Sequence, residues 1–331
     1  MFEKRNLIAW LAITALWVCV SGLQARAEES KSPNVKVAEV NGTIITRGEL
    51  DREMVVVKKR FGRLGKSIAG PQLSQLEGNV LDSLIGRELL FQAAKKNGIQ
   101  IGDAAIDKQL ETLKKRFPDE KGFKNAMEQM HLSEQDVRRQ IRQGMTIQQF
   151  VEGKFLKKIS VGDKETRAYY DGHQQMFKKP EEVRASHILI KLDPKADEKT
   201  KLAARKKLEG IQKELLGGAD FGKLAKKYSE GPSAAKGGDL GFFRHGQMVP
   251  PFEKVAFSLK PGEVSDIVVT RFGYHLIKVT DKKPEKTLAY AEVKDKLNRF
   301  LKEQEVGKAI DAYVKDLKKV AKVKKFQAVQ P

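Results

Sequence analysis

The chain has 331 residues, 63 Lys and Arg against 43 Asp and Glu for a formal charge of +20, and an ordinary 40% of hydrophobic residues. That length accommodates two globular domains, and the positive excess favours acidic partners: nucleic acid, anionic headgroups or acidic polypeptide. A single cysteine, Cys19, excludes an internal disulfide.

Lys4 and Arg5 precede an apolar run from Leu7 to Val20, and Ala25-Arg26-Ala27 offers small residues to a signal peptidase. This predicts a secretory signal over residues 1–27, cleaved before Glu28. The run is about 14 residues, short of the roughly 20 that span a bilayer, and an uncleaved anchor is the alternative reading. Val18 stands where a lipoprotein site before Cys19 would need a small residue. Cleavage removes Cys19, Trp10 and Trp17, leaving no thiol and no tryptophan, and lowers the +20 charge by two. Export argues against nucleic acid as a partner. Lys58-Lys59-Arg60 and Lys114-Lys115-Arg116 interleave with apolar residues at helical spacing, which reads as solvated helix faces, with peripheral contact to an anionic membrane surface as the alternative.

Val35 to Val40 meets Asn41-Gly42 and returns as Thr43-Ile44-Ile45, a small hairpin. Thr46-x-x-Glu49 is a capping box that starts a helix through Arg60, and Ser74-x-x-Glu77 repeats the device. Leu76, Val80, Leu84 and Leu81, Ile85, Leu89 then recur at helical spacing up to the stop at Asn97-Gly98. Two further helices are predicted, Ala104 to Phe117 before Pro118, and Glu134 to about Lys158 with Ser133 as N-cap. Asp163 is expected to cap a short helix carrying Tyr169 and Tyr170, which Lys178-Lys179-Pro180 breaks.

A strand from Val183 to Ile190 follows, then helices from Glu198 to Leu216 and Asp220 to Tyr228. Gly237-Gly238 turns into a strand from Leu240 to Phe243, Pro250-Pro251 opens a helix ending near Ser258, and Val264–Val269 and Tyr274–Val279 form a hairpin through Arg271-Phe272-Gly273. The last predicted helix, Ala289 to Lys319, carries Val293, Leu297, Phe300, Leu301, Ile310, Tyr313, Val314 and Leu317 on a face it cannot bury alone; a short strand-like piece ends near Phe326.

Ser186-His187-Ile188-Leu189, Lys236-Gly237-Gly238-Asp239-Leu240-Gly241-Phe242-Phe243, Gly246-Gln247-Met248 and Gly273-Tyr274-His275-Leu276-Ile277 occur in the order and spacing of one family. The segment from Glu182 to Asp281 resembles the parvulin family of peptidyl-prolyl isomerases. The hairpin, capped helix and Leu-rich helix resemble the N-terminal domain of exported SurA- and PrsA-type chaperones. The resemblance implies an α+β protein: a small, mostly antiparallel four-stranded sheet enclosed by helices, plus a mainly helical chaperone domain built from N- and C-terminal segments. Expected boundaries are 28–160 for the helical domain, 161–181 for the linker, 182–281 for the isomerase domain, and 282–331 for the segment returning to the first domain.

It further implies a proline slot of Leu240, Met248 and Phe252, a floor of His187 and His275, and Thr270 beside them. On the residues alone, the three apolar side chains could equally be core, and the histidines a pair satisfying one another. No cofactor is implied, and His131, His173, His187, His245 and His275 show no metal-binding spacing. Lys191, Lys195 and Lys199 form no arginine cluster, so recognition of phosphate is not indicated. Where parvulins carry Cys or Asp after the Tyr-Ser pair, this chain reads Tyr228-Ser229-Glu230-Gly231-Pro232. Either Glu230 reaches in from next door or the slot and histidines work alone, and glycine before Pro232 is a candidate for a special backbone angle. The expected function is isomerisation and chaperoning of folding exported polypeptides, most simply in the periplasm. The competing readings are a holdase with a weak parvulin domain and a basic envelope protein binding acidic polymer or lipid.

Overall fold

A computed structural model describes residues 33–63 and 69–326. The expected signal segment, with Cys19, Trp10, Trp17 and the cleavage site before Glu28, lies outside the described residues. The chain divides into two compact units, one comprising Met1–Thr166 with Asp295–Pro331, the other Arg167–Lys294.

In the first unit, β1 (Lys36–Val40) and β2 (Thr43–Thr46) form the hairpin through Asn41 and Gly42, both at positive φ. The Thr46–Glu49 capping box opens α1 (Arg47–Arg63): Glu49 Oε2 accepts the Thr46 backbone N–H at 2.8 Å, and Thr46 Oγ1 accepts that of Glu49 at 3.3 Å. The long helix α2 (Pro71–Lys96) starts one turn earlier than the Ser74 signal predicts. Pro71 is at its first turn behind Gly70; proline's fixed φ suits that position and costs no helical hydrogen bond, so the later serine has nothing to cap. Three helices follow: α3 (Asp103–Lys114), α4 (Glu120–Gln129) and α5 (Glu134–Val151), the last behind a Ser133–Asp136 capping box and running into a π-turn over Glu152–Leu156.

The helix α4 is a correction to the sequence reading, which passes directly from Phe117 to Ser133. Its N-cap, Asp119, accepts the Gly122 N–H at 2.7 Å, and Phe123 and Met127 bury its one apolar face against Ile106, Leu110, Val137 and Ile141, with Ala126 also buried.

The C-terminal segment completes this unit. From the helix Tyr290–Val320, Val306 and Ile310 join Leu90, Ala94, Ile147 and Phe150 in a common core, and the approach is close enough that a β-carbon on Gly86 would lie 3.2 Å from Val314. The final strand, Val323–Lys325, pairs antiparallel with β1, giving among the described residues a three-stranded sheet with β1 at its centre. Of the apolar face predicted for the last helix, Ile310, Tyr313, Val314 and Leu317 pack in the cores of this unit.

The helix α6 (Asp163–Gly172) carries the chain from the first unit into the second, with Gly162 N–H bonded to Glu165, so that Asp163 is the first helical residue rather than its cap. The short strands β3 (Lys178–Lys179) and β8 (Lys286–Thr287) of the second unit pair antiparallel. Among the described residues the main sheet has four antiparallel strands in the order β5-β4-β7-β6: Asp239–Phe243, Glu182–Lys191, Gly273–Lys283 and Val268–Thr270. One face buries Ile188, Ile190 and Leu276 beneath α7 (Glu198–Leu216) and α8 (Phe221–Tyr228); the other buries Val183, Ala185, Ile277 and Val279 against Phe252 and Ala256 of α9 (Pro250–Ser258). Because both faces are covered, the central strand β4 is apolar on both sides.

Candidate active site

The two central strands carry the histidines. In the β4–β7 register, His275 lies opposite Leu189 and His187 opposite Ile277, so the two histidines are diagonal neighbours on one face of the sheet. Their Nδ1 atoms are 3.2 Å apart and their rings stack at 5.4 Å. Both are nearly inaccessible, 7% and 3% exposed. Burial pushes the His187 pKa below its ordinary value, and burial together with the charge on His187 pushes His275 down to about 4. Both are therefore neutral at neutral pH, and one Nδ1–H donates to the other bare nitrogen. Thr270 Oγ1 lies 2.8 Å from the far nitrogen of His275 and accepts the Phe272 backbone N–H at 3.1 Å, which fixes the hydroxyl at the end of the relay. Gly238 closes on the other side: its carbonyl accepts the His187 N–H at 3.0 Å, and at φ 82° a β-carbon there would come within 2.3 Å of the His187 carbonyl. The Gly-Gly turn is thus what lets β5 approach the first histidine.

Phe252 presents its ring to both histidines, at 5.9 Å and 79° to His187 and 5.6 Å and 78° to His275. It is 3% exposed and belongs to the apolar core, whereas Leu240 and Met248 lie half-buried at that core's margin. A cavity of about 510 Å³ is lined by Met248, Val249, Pro250, Pro251, Gln247 and Thr270, and ends at Arg271. Met248 and Thr270 thus meet at one cleft, with Phe252 behind them bridging to the histidines. A second cavity of about 580 Å³ starts from Arg271 and is lined by His187, His275, Leu189, Pro232 and Phe272 among others. Sequence reasoning passed over Gln247, Arg271, Phe272 and Pro232 as site residues. Gln247 stands inside the quoted Gly-Gln-Met motif, and Arg271 and Phe272 follow Thr270 directly, so adjacency was the available signal.

Glu230 does not reach the histidines, which corrects one of the two sequence alternatives. Its Oε2 accepts the Lys191 backbone N–H and its Oε1 the Lys207 ammonium, each at 2.8 Å, so both oxygens are engaged elsewhere. The neighbouring Gly231 faces the site: a β-carbon there would be 3.1 Å from His187 Nε2, an atom that is itself buried and has no hydrogen-bond partner among the described residues. Gly231 is not at a positive φ, so no special backbone angle demands glycine. Asp239 both serves the glycine turn, accepting the Gly241 N–H at 3.0 Å, and binds Arg184 through two contacts at 3.3 and 2.7 Å. Among the described residues no cluster of His, Cys, Asp and Glu could hold a metal ion.

Two family models match the chain: a PPIC-type PPIASE domain over residues 173–283 and a SurA-like N-terminal domain over residues 3–151. The foldase protein PrsA of Caldanaerobacter subterraneus subsp. tengcongensis is 33% identical, with 98% of this chain and 97% of that protein covered. That of Geobacillus kaustophilus is 34% identical, with 94% of each chain covered. A solved structure of SurA-like chaperones of Campylobacter jejuni is 27% identical over 88% of this chain and 100% of that one, at a TM-score of 0.45. The chain belongs to the PrsA foldase family, an isomerase unit of the PPIC type joined to a SurA-like N-terminal domain.

Proposed function

We propose that this protein is exported by its first 27 residues and isomerises X-Pro bonds in folding polypeptides in the periplasm, with Leu240, Met248 and Phe252 as the proline slot and His187, His275 and Thr270 as the catalytic floor. The observation that carries this reading is the neutral, buried histidine pair meeting Thr270 at the edge of an apolar cleft. Rotation of the imide must overcome roughly 18–20 kcal/mol of lost conjugation, and no bond is broken. The planar imide is the more polar form and is favoured by water. A slot that takes the ring and excludes water therefore lowers the barrier, and a hydrogen bond offered to the imide nitrogen, whose lone pair is freed only in the twisted state, lowers it further.

The relay supplies such a donor in one of its two neutral forms. If the Thr270 hydroxyl donates to His275, the proton order along the pair leaves an N–H at His187 Nε2; if it accepts, His187 Nε2 is a bare acceptor. Residues 28–160 with 282–331 would hold unfolded chain while residues 182–281 turn over its prolines. The deciding measurement is a proline-limited refolding assay with wild type, Thr270→Val and His275→Gln. Acceleration by wild type that is lost in both variants supports the reading, and no acceleration by wild type removes it.

Gly231 favours a second reading, a holdase whose parvulin unit binds extended chain but turns it over weakly, because the position next to His187 Nε2 carries no functional group. Suppression of client aggregation at full strength by a wild type that leaves proline-limited refolding unaccelerated would establish it.

A further inference from the structure

Residues 244–249 join β5 to α9 and carry Met248 to the cleft. We propose that Glu253, in the first turn of α9, is a positioning residue for the isomerisation: its carboxylate grips this loop and sets where Met248 stands as a wall of the proline slot. The proposal deepens the reading of Met248 as a slot residue and rests on it.

The loop opens with a turn in which the Gln247 N–H donates to the Arg244 carbonyl at 3.2 Å and Gly246 holds φ 82°, as the third place of a type II turn requires. Two grips act at the Arg244 end: its backbone N–H donates to Gln247 Oε1 at 2.7 Å, and its guanidinium donates to Glu182 at 2.8 and 2.7 Å. Downstream, Pro250 and Pro251 take the first two helical positions and bring no N–H, and the N-cap Val249 has no side-chain acceptor. An acidic side chain near a helix start ordinarily turns back to the N-cap backbone. Glu253 reaches further: its Oε2 accepts the Gly246 N–H at 2.7 Å, and its Oε1 lies 3.3 Å from His245 Nδ1.

The charge state suits the task. Burial pushes the Glu253 carboxyl up, but the Gly246 N–H, the His245 ring and the Met248 N–H outweigh it and hold the group below the usual carboxylate range. An ionised carboxylate therefore meets the loop at neutral pH, and a charged acceptor makes the stronger hydrogen bond. His245 braces the same turn: its ring lies flat on Phe257 of α9, with centroids 3.7 Å apart at 24°, and its Nε2 is 3.9 Å from Glu181. The preceding residue, Phe252, presents its ring to both buried histidines. One turn of α9 thus sets two parts of the site, Phe252 by its own side chain and Met248 through the carboxylate next to it.

The test follows isomerisation of an Ala-Ala-Pro-Phe peptide by exchange spectroscopy with the full mature chain, reading KM and kcat separately. A displaced wall weakens the hold on the ring in the planar and twisted states alike, while Thr270, His275 and His187 keep their places. Glu253→Ala should therefore raise KM about tenfold with kcat within about twofold of wild type. Glu253→Gln keeps one acceptor oxygen and should fall between the two; it carries the test if the alanine variant does not fold. In a Met248→Ala background either substitution should cost less than about twofold more in kcat/KM, because it acts through a side chain already removed. Glu263→Ala, which releases a similar carboxylate grip on the Lys260 N–H, is the control and should leave both constants unchanged. Wild-type kinetics in the Glu253 variants, an equal loss in Glu263→Ala, or a Glu253 loss that adds in full to that of Met248→Ala overturns the positioning role while leaving the isomerase reading intact. No isomerisation by wild type overturns the isomerase reading, and the positioning role falls with it.

Discussion

A β-carbon on Gly231 would stand 3.1 Å from Nε2 of His187, so whatever residue occupies position 231 addresses the outer nitrogen of the histidine pair directly. In this chain it offers nothing, and the adjacent carboxylate of Glu230 is turned to Lys207. Gly231→Asp should therefore raise kcat/KM about tenfold, equivalent to about 1.4 kcal/mol of barrier, because a charged acceptor beside His187 polarises the relay towards the imide. The contact is tight but the backbone is not in the left-handed region, so the variant should fold. Gly231→Ala is the control for crowding alone. Equal rates for Asp, Ala and wild type in peptide isomerisation would show that position 231 has no electrostatic voice.

Met248 and Phe252, proposed as slot residues, will not respond alike. Met248→Ala removes a half-buried side chain at the cleft and should cost roughly tenfold in catalysis with little change in Tm. Phe252→Ala opens a hole in a packed core at a residue only 3% exposed and should cost about 3–5 kcal/mol of stability as well. Paired thermal melts and refolding assays separate the two. A Met248→Ala enzyme with undiminished catalysis would move the proline ring elsewhere.

Acid should act on the fold through the histidines. An unfolded histidine titrates near ~6.5, whereas His275 in the folded chain is held down to about 4 by burial and by His187. Between those values the unfolded state takes up a proton that the native state refuses, so stability is level above pH ~6.5 and declines as the pH falls towards 4. The fall in Tm from pH ~7 to ~5 should be smaller in His275→Gln than in wild type. Identical falls would mean that His275 is not held neutral.

In the first unit, Glu53 is 5% exposed and its Oε1 meets Arg87 at 2.7 Å. Arg87→Met should cost about 3 kcal/mol in denaturant unfolding, because it strands a buried carboxylate, and adding Glu53→Leu should recover most of the loss. If the double variant is no more stable than Arg87→Met, the cost lies in packing of the arginine stem.

The isomerase unit was legible in the sequence because its geometry is written in short-range devices. Glycine pairs mark the turns, alternation marks β4, and histidines at fixed offsets on two strands meet once those strands pair. The N-terminal unit was less legible. The helix Glu120–Gln129 has a single buried face of three residues and an internal Gly122, too little periodicity to stand out between two stronger helices. The true start of the long helix was hidden by a plausible but unused Ser74-x-x-Glu77 box, since Pro71 acts through its backbone alone. At the candidate site, the motif positions pointed to the histidines, which pair, and to Met248 and Thr270, which line one cleft. That Glu230 turns away, that Arg271 stands between two cavities and that His187 Nε2 looks at Gly231 are matters of side-chain direction, which spacing does not encode.

The strand Val323–Lys325 pairs with β1, although every residue of the isomerase unit, Arg167–Lys294, comes between them in the chain. A polypeptide that emerges from its N-terminus can therefore close the isomerase unit while β1 still waits, one edge unpaired, for the last piece to arrive. Ala38 and Val40, fully enclosed in the finished unit, stay without that cover until then. The arrangement makes the late strand a mark of completeness: a product that stops before Val323 retains a contiguous isomerase unit yet presents an open β edge, the kind of surface that invites a foreign strand or a protease.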